Sequence, residues 1–160
     1  MQARRRRLIA SLGVCAALAG LPACEKPTPL VTLYSSGTSI NDEALSYCFP
    51  GQDAAREPGT EGACRFDTEG RVAKVLEVRP GEEVLVDVDR ELSESGWVVV
   101  LRGSQAGQQS RLATQQEEHV TRFQPDFSQS PVITVEIQKL ERPTEDARPT
   151  GIWQFQIAPR

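Results

Sequence analysis

The sequence predicts an all-β protein: one two-sheet β-sandwich preceded by an N-terminal export segment. Three observations predict it. Short runs rich in valine, isoleucine and aromatic residues recur between turn residues. Several of these runs alternate apolar and polar side chains with a period of two, as strands half buried against a core do. The 160 residues amount to about one domain, and residues 1–23 differ from the rest in charge and hydropathy.

Residues 1–23 read as a signal peptide. Arg4, Arg5, Arg6 and Arg7 precede an uncharged run from Leu8 to Leu21, rich in Ala, Leu and Gly, and then Pro22, Ala23 and Cys24. That run falls short of the about 20 apolar residues a bilayer-spanning helix needs, and a buried core helix would leave the arginine cluster unexplained. The same arginines are too loose a pattern to choose between general secretory and twin-arginine export. After Cys24 comes the polar, proline-rich stretch Glu25-Lys26-Pro27-Thr28-Pro29, which suits a tether, so residues 24–29 are expected as tether and 30–160 as the sandwich.

The predicted strands follow in order: Leu30 to Ser35, Ala44 to Phe49, Val72 to Val78, Glu83 to Asp89, Trp97 to Arg102, Glu118 to Phe123, Val132 to Leu140 and Ile152 to Ile157. Val84, Val86 and Val88 share one face of their strand, with Asp87 and Asp89 on the other. From Val132 to Leu140 the odd positions read Ile133, Val135, Ile137 and then Lys139. Trp153, Phe155 and Ile157 alternate with glutamines, the clearest strand pattern in the chain. Arg79-Pro80-Gly81-Glu82 has the chemistry of a type II turn, proline presetting φ and glycine taking a positive φ. A short helix is expected near Ser39 to Tyr47, with Ser39 or Asn41 capping. Gln105 to Gln116 reads as loop with a weak strand, and Arg142 to Gly151 as a long solvated connection.

Charge narrows the partners. The whole chain carries 18 Lys plus Arg against 22 Asp plus Glu; removing four signal-peptide arginines leaves 14 against 22, a net charge of -8. Binding nucleic acid needs a basic surface, so no nucleic-acid partner is expected. Four cysteines are present. Cys15 leaves with the signal peptide, and Cys24 sits at the cleavage point. Cys48 and Cys64 remain as a disulfide pair in a compartment that permits one, closing a Gly- and Pro-rich segment with little apolar periodicity.

Constellations for chemistry are not found, so no catalytic residue, metal or cofactor is expected. His119 is the one histidine and lacks a second at metalloprotease spacing. The serines around Ser35 to Ser39 lack a nucleophile elbow. Asp87, Asp89 and Glu91 lack the glycine and distal glutamate of an EF-hand and read as a solvent-facing strand edge. Trp97 and Trp153 are possible ligand-stacking residues, although both sit within apolar strand faces and suit a core.

Leu21-Pro22-Ala23-Cys24 resembles the bacterial lipobox, whose cysteine is acylated before cleavage; two chains there give stable anchoring. More broadly, Cys24-Glu25-Lys26-Pro27-Thr28-Pro29, Cys48, the segment Val78-Arg79-Pro80-Gly81-Glu82 to Val88, Gly96-Trp97 and Gly151-Ile152-Trp153-Gln154-Phe155 resemble a family of small actinobacterial lipoproteins defined as a domain of unknown function. The resemblance implies lipidation of Cys24, a cell-membrane location on the extracytoplasmic face and an immunoglobulin-like fold. It carries no reaction and no site residues. The resulting expectation is a lipid-anchored, non-enzymatic binding or envelope-interaction module with an envelope protein or glycan as partner. The rival expectation is a lipid or glycan carrier with a pocket between the sheets.

Overall fold

The computed structural model describes residues 26–53, 55–56, 62–67, 70–103, 109–112, 114–144 and 146–160. Residues 1–25, which hold the expected signal peptide and Cys24, and part of the segment enclosed by Cys48 and Cys64 lie outside the described residues. Among those described are β1 (Val31–Ser35), β2 (Thr38–Asp42), β3 (Ser46–Tyr47), β4 (Arg65–Phe66), β5 (Lys74–Val78), β6 (Val84–Val88), α1 (Arg90–Ser95), β7 (Trp97–Arg102), β8 (Gln109–Arg111), β9 (Val120–Phe123), β10 (Ile133–Leu140) and β11 (Pro149–Pro159). A small sheet runs β2-β1-β6-β9. A large sheet runs β4-β3-β11-β10-β7-β8, and β5 adds to the second half of β11. Every pairing is antiparallel except β5 with β11, which is parallel. The all-β two-sheet architecture is the one the alternation predicts.

The inward faces follow from that alternation. Val31 and Leu33 of β1 lie beside Val88 and Val86 of β6. They meet Trp97 and Val99 of β7, Val135 and Ile137 of β10, and Trp153, Phe155 and Ile157 of β11 in one buried cluster. Burying a side chain of this kind is worth about 1.5–3 kcal/mol. The cluster fills the space between the sheets.

Three local expectations are corrected. Ser39 to Tyr47 is not helical: Ser36 and Gly37 take φ of 46° and 82°, the two positive values a tight two-residue hairpin turn uses. They fold β2 back along β1, with Ser35 opposite Thr38. A helix forms instead at α1, where Glu91 was expected on a strand edge; it is a single short crossover from the small sheet to the large one. The connection before β11 is neither fully solvated nor as long as expected. Pro149 to Gly151 already belong to the strand, and Ala147 packs with Val98, Val100 and Leu140 in a second buried cluster. Val98 and Val100 face away from the main core, and Ala147 of the connection packs over them.

Other expectations hold. The 79–82 turn is closed by Glu82 N–H donating to the Arg79 carbonyl at 3.0 Å, with Gly81 at φ 89°. The weak strand within Gln105 to Gln116 is β8. The packed chain, by contrast, begins within the stretch expected as tether, before Leu30: Thr28 and Pro29 are buried. Thr28 Oγ1 accepts from Ala44 N–H at 3.0 Å, and the Pro29 carbonyl accepts from Trp153 Nε1 at 2.9 Å. These residues form a strap along the end of the sandwich.

Candidate functional site

The alternation of β10 places one charged residue on the core side. Lys139 continues the face of Ile133, Val135 and Ile137, pairs with Trp97 on one flank and Gly151 on the other, and has a side chain 12% exposed. A buried ammonium needs partners, and they come from two distant segments. Lys139 Nζ donates to Tyr47 Oη at 2.8 Å and lies 3.5 Å from Glu91 Oε1. Tyr47, fully buried on β3, donates its hydroxyl to the same Glu91 oxygen. The strap completes the group: Lys26 Nζ lies 3.9 Å from Glu91 Oε2 and 5.6 Å from the centre of the Phe49 ring.

The electrostatics lock this cluster. Burial, reinforced by the hydrogen bond to Glu91 and the charge of Glu91, pushes the Tyr47 phenol far above its ordinary value. The hydrogen bond from Tyr47, with the charges of Lys139 and Lys26, holds the Glu91 carboxyl below the usual range although burial pulls the other way. Burial lowers the Lys139 ammonium, and Glu91 partly offsets this. A phenol held protonated and a carboxylate held ionised are poorly placed to exchange a proton near neutral pH. The arrangement acts as a polar clasp across β3, β10, α1 and the strap. Tyr47 also stacks edge-on against Phe49 and Trp153, at 5.0 and 5.8 Å between ring centres.

Comparison with family models, with curated proteins and with solved structures finds no match. Function must therefore be argued from these residues themselves.

Of the residues expected from sequence, Cys48 and Cys64 are joined in a disulfide. Cys48 N–H also donates to the Thr150 carbonyl at 2.7 Å, so the staple sits beside β11. Trp97 and Trp153 require correction as stacking residues. Both are completely buried, and each indole N–H is held by a carbonyl, Trp97 by Glu118 at 2.8 Å and Trp153 by Pro29 at 2.9 Å. Neither offers a ring face to an external ligand. Asp87 is exposed, while Asp89 accepts from Leu30 N–H at 2.7 Å and so helps seat the strap. His119 is exposed, and its carbonyl accepts from Val88 N–H at 2.9 Å. Among the described residues no group of three or more His, Cys, Asp or Glu is placed to hold a metal ion, and no helix is long and apolar enough to cross a membrane.

The clasp residues Tyr47, Lys26 and Lys139 are absent from the sequence-derived candidates. One signal was available for Lys139, a charge falling on the apolar parity of a strand. Tyr47 and Glu91 lie far from it in sequence and carried no such mark.

Proposed function

We propose that this chain is a lipid-anchored, extracytoplasmic β-sandwich of the kind its lipobox resembles, held at the membrane by acylated Cys24 and acting as a non-enzymatic binding or envelope-interaction module. The observation that carries the reading is the strap. Thr28, four residues after Cys24, and Pro29 are built into the fold, so a modification at Cys24 is coupled to the domain rather than to a loose tail. The disulfide supports an oxidising compartment, and the locked clasp supports a structural rather than a chemical role for the buried titratable residues. A carrier pocket between the sheets would need the volume that Trp97, Trp153, Phe155, Leu33 and Leu76 fill, which weighs against the rival reading.

Recognition in such a module belongs to its loops: the segment between Cys48 and Cys64, Gln105 to Gln116, and Arg142 to Gly151. The anchoring is tested by metabolic labelling with a fatty acid and by detergent-phase partitioning. Label and partitioning are both lost in Cys24→Ala; partitioning that survives unchanged refutes the anchor. Affinity capture from envelope extracts, with each loop shortened in turn, tests the binding role. Equal capture by all variants counts against it.

A further inference from the structure

We infer that the α1 end of the sandwich is a lipid-docking surface, lying against the headgroups of the bilayer that holds Cys24. The inference rests on the anchoring reading and adds to it an orientation and a contact face. Three residues, Glu25, Lys26 and Pro27, separate Cys24 from buried Thr28. Even fully extended, the four steps from Cys24 to Thr28 span at most about 14 Å. Lys26 is nearer still, about 7 Å at most from Cys24, and its ammonium already rests on the domain, against Glu91 and the Phe49 ring. A headgroup layer is roughly 5–8 Å deep on each side of the hydrocarbon. The acylated residue therefore cannot reach the bilayer without bringing the surface around Lys26 to the headgroups.

The same end gathers several segments. Helix α1 closes it, and Gly96, after α1, is packed so tightly on the 141–148 connection that an added Cβ would meet Pro143 Cβ at 2.9 Å. Three exposed cations stand at this otherwise acidic end. The side chains of Lys26, Arg90 and Arg142 are 67, 84 and 63% exposed, and their carboxylate neighbours Glu91, Glu94 and Asp146 are each ion-paired to one of them. Exposed Asp89, Glu117, Glu118 and Glu141 stand at the same end, so its net charge is negative, and the contact with the headgroups comes from the short tether and from single Lys and Arg donors to lipid phosphate rather than from a basic patch. The strap prevents the domain from swinging away: Asp89 holds Leu30, Trp153 holds Pro29 and Thr28 holds Ala44.

The test uses the full, acylated protein in vesicles of phosphatidylcholine and phosphatidylglycerol containing a headgroup-attached acceptor dye. A donor dye is placed at Thr144→Cys, at the α1 end, or at Ser128→Cys, between β9 and β10 at the opposite end. Energy transfer is expected to be several-fold greater from position 144 than from 128. It should fall at 144 when Gly-Ser-Gly-Ser is inserted after Glu25, or when Arg90 and Arg142 are both changed to Glu. Equal transfer from the two positions, or greater transfer from 128, overturns the docking. Flotation with the vesicles is read in the same samples. Flotation with equal transfer refutes the orientation while leaving the anchor intact, and wild-type protein that does not float refutes both.

Discussion

Gly151→Ala isolates the packing that holds the clasp in place. Gly151 lies on β11 between Lys139 and Tyr47, and its φ is not among the positive ones, so alanine meets no backbone objection. At a free site, glycine to alanine stabilises by about 0.4–1 kcal/mol through the unfolded chain. Here the new Cβ would lie 2.9 Å from Trp153 Cη2 and Cζ3 and 3.0 Å from Tyr47 Cδ2, where carbon contacts prefer about 3.5–4.0 Å. Neither ring can yield easily. Trp153 is fixed by the Pro29 carbonyl and Tyr47 by Glu91 and Lys139, and both are fully buried. Overpacking of this kind costs about 1–3 kcal/mol. The net expectation is a loss of about 1–2 kcal/mol after that gain, lowering Tm by about 3–8 °C for a domain of this size. Calorimetry and urea melts followed by circular dichroism measure it. The cost should shrink in a Trp153→Phe background, which removes the two contacting indole atoms. An unchanged or raised Tm, or full additivity with Trp153→Phe, would refute the reasoning.

Four further outcomes are expected. Glu91 titrates lower in the fold than in the unfolded chain, so its contribution is complete above about pH 4.3 and is lost as pH falls through the folded value; Glu91→Gln should therefore flatten part of the acid limb of urea midpoint against pH. Tyr47 is displaced upward, so its contribution is present below about pH 10 and declines as pH rises further, a decline Tyr47→Phe should remove; the lowered Lys139 has the opposite slope as pH approaches its unfolded value. Replacing Cys48 and Cys64 by serine should cost about 3 kcal/mol in the loop-entropy description, read as a lower urea midpoint that reductant no longer shifts. Tryptophan emission should be blue-shifted, resistant to acrylamide and unmoved by soluble glycans or lipids, because both indoles are buried; ready quenching would mean that at least one ring reaches the surface.

Most of the sandwich was legible because its strands obey one rule. In β6, β10 and β11 most inward residues are large and apolar and most outward ones polar, with Leu85 and Ile152 the large outward exceptions, so period two gives both the strand and its buried face. β2 escaped because its exposed sequence holds one apolar residue, Ile40, and the Ser36-Gly37 turn that creates it is a weak signal beside Asn-Gly. α1 escaped because six residues with Leu92 as their one large apolar member show no helical period. For the site, composition and spacing found the disulfide because two cysteines suffice to suggest it. The clasp was not legible, because its four residues meet through a strand pairing, a crossover helix and a strap, none of which is a local property.

The pairing of β11 also orders events in time. β11 comes later in the chain than β3, β5 and β10, and it pairs with all three. Synthesis from the N-terminus can therefore supply all of β1, β2, β6 and β9 well before the large sheet can close, leaving Val31, Leu33, Val84 and Val86 without the β10 and β11 part of their facing layer meanwhile. Long-range pairings of this kind are slow to form, and the waiting surface is the sort that aggregates or recruits chaperones. A chain cut after Leu140 would keep every strand of the small sheet, yet lose the strand that carries Trp153, Phe155 and Ile157 to cover it.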